Sequence, residues 1–280
     1  MAEQSGPVRV LVLGASGRLG RMLRRHWGAG LAPVWQVRRP VAGPDEMRFD
    51  PVTERAALGR VDVVLSVAGA VAGDAAALRA HTDLALAALR LGADHGARRV
   101  FLSSSAAVYG LGGAGLAEDD PLWPVTPYAM AKRAMEEAAL DRSRVSGVPV
   151  TVLRIGNVAG ADALLGRSGA GPVVLDRFAD GQGPRRSYIG PRAFADVMAG
   201  LVRAAAAGLD VPECLNIALP GAVAMADLLQ AAGVGFAWRP APDSALPLVE
   251  LDVTRLMRMM PLDPARAEGI VADWRRSVAI

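Results

Sequence analysis

The chain has 280 residues, 52% apolar and 21% charged, the balance of a globular protein and not of a disordered one. Lys and Arg number 31 against 28 Asp and Glu, and the basic residues are scattered, which suits a small anionic ligand better than a nucleic-acid stripe. One cysteine, Cys214, excludes an internal disulfide. With His26, His81 and His95 it makes no metal-ligand spacing, so no metal site and a reducing cytoplasm are expected.

The opening run MAEQSGPVRVLVLGASG carries an early acid, and its apolar stretch is too short for a signal peptide. It predicts a strand over Val8–Leu13. Gly14, Gly17 and Gly20 follow, then a helix over Leu19–Trp27. Gly14 permits a tight turn, Gly17 lets backbone approach a pyrophosphate, and Gly20 lets helix pack on strand. The helix N-terminus offers N–H groups and a positive dipole end to phosphates. A glycine triplet so placed predicts dinucleotide binding.

A second strand, Val34–Val37, ends in Arg38 and Arg39, where an acid would hold a ribose hydroxyl. Arginine instead pairs with phosphate, which favours NADP over NAD, and Arg18 is placed to join in. Asp50, after a presumed third strand in MRFDP, is expected to accept from the adenine amine. The longest apolar stretch, Val61 to Gly73, contains Asp62 and falls short of the ~20 residues of a spanning helix. It predicts a strand over Asp62–Val67 and no membrane segment.

The pattern continues with a helix over Asp74–Leu91, a strand over Arg99–Ser103, a helix over Pro127–Ser146 and a strand over Val150–Arg154. Strands alternating with helices predict an α/β fold, a Rossmann doubly wound parallel sheet. Beyond Arg154, glycine, proline and arginine crowd Gly156–Pro191 and the periodicity weakens. Helices over Phe194–Ala207 and Met225–Ala232 flank a strand over Cys214–Ala218, and prolines at 240, 242, 247, 261 and 264 mark an irregular tail. We expect a Rossmann domain over 1–156 and a smaller C-terminal substrate lobe over 157–280, with about 193–218 returning to the sheet.

PYAMAKRA (127–134) sets Tyr128 and Lys132 four apart, on one helix face. By itself the spacing also fits a solvated surface pair. The wider pattern decides: GASGRLG (14–20), DVVLSVAGA (62–70), SSSAAVYG (103–110), PYAMAK (127–132), LRIGNVAG (153–160), RSYIG (186–190), LNIALPG (215–221) and RPAPD (239–243) occur in one order along nearly the whole length. In these the chain resembles the extended short-chain dehydrogenase/reductases, the sugar-nucleotide epimerase/dehydratase group.

The resemblance implies a catalytic set of Ser105, Tyr128 and Lys132. A tyrosine of ordinary pKa about 10 needs ~4 kcal/mol to be half ionised near neutrality, which an ammonium and an oxidised nicotinamide would supply. Lys132 would also hold the nicotinamide ribose, and Ser105, with Ser104 as understudy, the reacting oxygen. The implied cofactor set is Gly14, Ser16, Gly17, Arg18, Leu19, Gly20, Arg38, Arg39, Asp50, Ala68, Tyr128 and Lys132. Ser104, Asn157, Arg186 and Arg239 form the implied substrate set, the last three on a pyrophosphate, with stapling of the lobe to the sheet as the alternative for Asn157 and Arg186.

Departures from the family pattern narrow the expectation. Ala106 and Ala107 stand where dehydratases carry an Asp–Glu pair, which argues against dehydration. Cys214 lies too far along the chain for epimerisation beside a carbonyl. His81 stands at the family's usual asparagine, whose counterpart orients the catalytic apparatus; the departure argues against a proton path there and favours a helix-face histidine. The loops after Gly69 and Asn157 are short, and LMRMM (256–260) reads as packing. The expected function is NAD(P)-dependent hydride transfer at a carbinol or ketone carbon of a sugar nucleotide. The alternatives are an NADPH-dependent reductase of a smaller ketone and a non-catalytic NADP sensor. The resemblance also implies a homodimer through the helices at 74–91 and 127–146.

Overall fold

The computed structural model describes residues 6–70, 75–166 and 172–278. Asp74, the first residue of one expected helix, lies outside them, as do residues 71–73 of the apolar stretch and part of the segment expected to lack periodicity. In chain order the elements are β1 (Val8–Leu13), α1 (Arg18–His26), β2 (Leu31–Val37), β3 (Glu46–Arg48), β4 (Val63–Ser66), α2 (Ala75–Asp94), β5 (Arg99–Ser105), β6 (Gly113–Leu116), α3 (Pro127–Ser146) and β7 (Val150–Ile155). There follow β8 (Asn157–Val158), β9 (Val173–Arg177), β10 (Arg185–Arg186), β11 (Tyr188–Ile189), α4 (Pro191–Ala206), β12 (Cys214–Ile217), β13 (Val223–Ala224), α5 (Met225–Ala231), β14 (Phe236–Pro240), β15 (Leu248–Leu251), α6 (Thr254–Met259) and α7 (Ala267–Val278).

Seven strands form a parallel sheet in the order β12-β7-β5-β4-β1-β2-β3. Parallel neighbours need crossovers, and α1, α2, α3 and α4 supply those from β1 to β2, β4 to β5, β5 to β7 and β7 to β12, while β2, β3 and β4 are joined by loops. The strand order reverses between β1 and β4, the point where ligands bind in such sheets, beyond the strand C-termini. β1 and β4 are buried on both faces, which is why VRVLVL and VVLS read as runs and not as alternations. The fold is the Rossmann sheet that the sequence predicts.

The chain divides into two compact units, one of Met1–Ser105, Thr126–Leu153 and Ala195–Cys214, the other of Ala106–Val125, Arg154–Phe194 and Leu215–Ile280. In the first, alanine lets α2 and α3 lie close: Ala85, Ala88 and Ala139 share a core with Leu89, Met135, Leu11 and Val100. Gly92 has the same cause, since a Cβ there would stand 2.8 Å from Val100 Cγ2. The second unit is built on a four-stranded sheet, β13-β10-β15-β6, and two strand pairs, β11-β8 and β14-β9. Its core gathers Tyr188, Leu228, Leu229, Ile270 and Val271.

A buried polar knot ties the second unit together. Asn216, fully buried, donates its backbone N–H to Glu118 (2.9 Å) and its side-chain amide to the carbonyls of Leu116 (2.8 Å) and Asp252 (2.9 Å). Its Oδ1 accepts from the Tyr109 hydroxyl at 2.8 Å, and Arg154 donates to Tyr109 Oη and to the Glu118 carbonyl.

Candidate active site

Local sequence fixes where α3 begins, and so where Tyr128 and Lys132 point. Thr126 is the N-cap, its Oγ1 accepting from Ala129 N at 3.1 Å, and Pro127 takes the first helical position. Gly147, with φ +70°, closes the far end. Tyr128 therefore lies in the first turn and Lys132 one turn later on the same face. Opposite them β5 ends in three serines.

The structure brings Ser105, Tyr128 and Lys132 together. Tyr128 is hydrogen-bonded to the Ser105 side chain, and Lys132 Nζ lies 5.9 Å from the Tyr128 ring centroid. Burial raises the Tyr128 phenol above its ordinary pKa, the Ser105 hydrogen bond opposing it in part. In the chain alone burial sets the direction of the phenol's shift, whereas the sequence reading counts on Lys132 and an oxidised nicotinamide together to lower it. Lys132 is 3% exposed, and burial brings it down to about 8, the Glu136 charge holding it up against that pull. Its Nζ donates to the Ser103 carbonyl at 2.7 Å.

Ser104 has a partner within the chain. Its hydroxyl is buried and donates to the Glu136 carboxylate. His81 packs edge-on against Tyr128 with ring centroids 5.8 Å apart, and its Nε2 is 2.8 Å from the Ala70 carbonyl. An imidazole nitrogen facing a carbonyl must donate, so the other nitrogen, Nδ1, is the acceptor; it is buried and has no hydrogen-bond partner. Burial first, and then Lys132, lower His81 to about 4.

The glycine loop lies in the same unit. A Cβ on Gly14 (φ +84°) would stand 2.6 Å from Ala68 Cα, and one on Gly20 would stand 2.3 Å from the Gly14 carbonyl oxygen. The next residue, Gly69, leads to the serine–tyrosine–lysine group: a Cβ there would lie 2.6 Å from His81 Cε1 and 3.7 Å from Lys132 Nζ. Ala68 and Gly69 thus join the loop to the Ser105, Tyr128 and Lys132 group. No side chain caps α1 and its first turn holds no acid, so the helix end, with bare glycine before it, fits a dinucleotide diphosphate. Ser16, Gly17 and Arg18 are exposed at this turn, and Leu19 is half-buried.

Beyond β2 the structure is less simple than two free arginines. Arg38 is exposed, but Arg39 forms a two-pronged pair with the buried carboxylate of Glu46 (3.0 and 2.6 Å). Hydrogen bonds from Arg39, then Arg24, then the Ala42 N–H hold Glu46 down to about 2. Asp50 accepts from Val52 N (2.8 Å) and Thr53 N (3.4 Å) in a turn of its own.

In the second unit, Asn157 lies in β8 and Arg186 in β10, and both are half-buried. Arg186 donates to the carbonyls of Leu246 (2.8 Å) and Arg185 (2.8 Å), and Arg239, on β14, pairs with Asp176 at 2.7 Å. These are internal contacts.

Three features escaped the sequence reading. Gln36 is buried at the end of β2, accepting from Gly14 N (3.1 Å) and donating to the Phe49 carbonyl (2.7 Å), and so steadies the glycine loop. Glu136 is the second. The third needed only a count: Lys132 is the sole lysine of the sequence, every other of its 31 basic residues being arginine. Among the described residues no group of three His, Cys, Asp or Glu could hold a metal, and no helix is long and apolar enough to cross a membrane.

The chain belongs to the NAD dependent epimerase/dehydratase family, whose profile matches residues 10–188, and so to the extended short-chain dehydrogenase/reductases. It is 35% identical over 181 residues to the dTDP-6-deoxy-L-talose 4-dehydrogenase (NAD(P)(+)) of Kitasatospora kifunensis, covering 57% of this chain and 55% of that protein. It is 37% identical over 92 residues to UDP-arabinose 4-epimerase 1 of Arabidopsis thaliana, covering 32% and 22%. The chain thus spans about half the length of the first relative and under a quarter of the second. In fold it is similar to the UDP-glucose 4-epimerase of Bifidobacterium longum in complex with NAD+ and UDP, with a TM-score of 0.76 and 17% identity, covering 97% of this chain and 99% of that one.

Proposed function

We propose that this protein is an NAD(P)-dependent epimerase or dehydrogenase that oxidises and reduces a carbinol carbon of a nucleotide-linked sugar. The observation that carries the reading is the junction at Ala68 and Gly69, where the glycine turn meets Lys132 and, through His81, Tyr128. Gly14, Gly17 and Gly20 with the α1 N-terminus would hold the diphosphate, and Lys132 the ribose beside the nicotinamide. When bound, the nicotinamide supplies the acceptor or donor for hydride. Oxidation removes a hydride and a proton from the carbinol, and Tyr128 Oη takes the proton; in reduction it returns the proton to the carbonyl oxygen. Ser105 positions that oxygen. Lys132, as an ammonium, lowers the cost of a phenolate that burial alone would oppose.

Arg38 favours NADP, since Arg39 would have to exchange the Glu46 carboxylate for a 2′-phosphate. Asn157, Arg186 and Arg239 are the proposed substrate contacts. The internal bonds of Arg186 and Arg239 favour a second reading, an NADPH-dependent reductase of a smaller ketone. A homodimer through α2 and α3 and a cytoplasmic site of action belong to the same proposal. Mass spectrometry of cofactor released from the purified protein tests it. Retained NAD points to epimerisation, an empty site that takes up NADPH points to reduction, and a protein that binds neither refutes the reading.

A further inference from the structure

Glu136 is a buried carboxylate to which hydride transfer as described assigns nothing. It lies one turn beyond Lys132 on α3, so the two side chains share a face. Both are 3% exposed. Adjacent residues of β5 hold the two: the Ser103 carbonyl accepts from Lys132 Nζ and the Ser104 hydroxyl donates to Glu136. A buried carboxylate is costly unless it is bonded and opposed by a cation. Ser104 supplies the bond and Lys132 the charge.

We propose that Glu136 is a positioning residue that acts through Lys132: clamped by Ser104, its carboxylate keeps the chain's sole lysine cationic beside Tyr128. The inference rests on the proposed role of Lys132 as partner of the phenol. The other groups facing Lys132 cannot do this work. His81, reaching in from α2, is held neutral above about pH 4, and Tyr128, on α3 itself, is uncharged until it gives up its proton. Ser103 and Ser104, from β5, carry no charge. Burial pulls Lys132 toward the free amine, and the Glu136 charge opposes that pull. A neutral amine would give a phenolate no support.

The single lysine makes the test direct. Protein grown with lysine labelled with 13C at Cε gives one lysine resonance, whose shift follows protonation of Nζ, with no substrate or cofactor needed. E136Q keeps the shape and loses the charge. Its Lys132 midpoint is expected to fall by about one unit or more below wild type. E136D, which retains a charge, should recover part of the fall, and S104A should move the midpoint a smaller way in the same direction. A midpoint unmoved in E136Q overturns the proposal; if E136Q does not fold, an unmoved midpoint in S104A does so. Failure to find any dinucleotide-dependent turnover would sink the proposed reaction and leave this titration standing. Turnover with an unmoved midpoint would sink the inference alone.

Discussion

Lys132→Met should change the pH dependence of stability in one definite direction. In the folded chain Lys132 loses its proton at about 8, against an ordinary 10.5 for an exposed lysine. Between those two values the unfolded chain binds more protons than the folded one, so raising the pH favours the native state. At about 1.4 kcal/mol per unit the interval is worth ~3 kcal/mol, present in full above pH 10.5 and absent below pH 8. Methionine has no proton to release. Its packing, and the Ser103 carbonyl and Glu136 that it leaves behind, shift stability by an amount that does not depend on pH in this window. Tyrosines remote from Lys132 titrate alike in both proteins, and Tyr128, raised by burial, titrates only at the top of the window, where wild-type Lys132 is already the free amine, so they cancel in the difference. Urea denaturation of both at intervals from pH 7 to pH 10.5 should show wild type gaining ~3 kcal/mol on the variant. A difference that stays flat, or that falls with pH, would refute the buried-ammonium reasoning.

Other expectations are more local. His81 stays neutral in the fold down to about 4 but protonates near 6.5 when unfolded, so stability is lost as pH falls through that interval. His81→Gln should lose that share of the acid sensitivity, read as a smaller drop in Tm between pH 7 and pH 5. Gly20→Ala puts a Cβ 2.3 Å from the Gly14 carbonyl oxygen, where backbone must move. It should cost ~1–3 kcal/mol in urea denaturation and weaken dinucleotide binding measured by calorimetry. Asn216→Ala takes its donor from the Asp252 carbonyl and its acceptor from the Tyr109 hydroxyl, while the Leu116 carbonyl keeps the Asp252 N–H, and a loss of ~1–3 kcal/mol is expected. A loss under about 0.5 kcal/mol would mean that the knot is ornamental.

Local chemistry was legible in the sequence, and long-range pairing was not. Thr-Pro before Tyr128 marks a helix start, and the structure begins α3 at Pro127, as read. The glycine triplet likewise announces its own geometry. Ser104 and Glu136 are 32 residues apart, and only the packing of α3 on β5 introduces them. Arg39 read as a free phosphate ligand because nothing in VRRP shows that Glu46 on β3 will reach it. β8, β10, β11 and β13 have two residues each, too few to display a period, so the second unit read as irregular. The segment 106–125, which belongs to that unit, gave no compositional sign of leaving the sheet.

Turnover by Tyr128→Phe tests the central claim most directly. Wild type and variant would each be given NAD or NADP with a panel of UDP- and dTDP-hexoses, products read by NMR and dinucleotide affinity by calorimetry. The account predicts a sugar product with wild type, a fall of roughly 10²–10⁴-fold in the variant, and unchanged dinucleotide affinity. A variant that turns over as fast as wild type would contradict it.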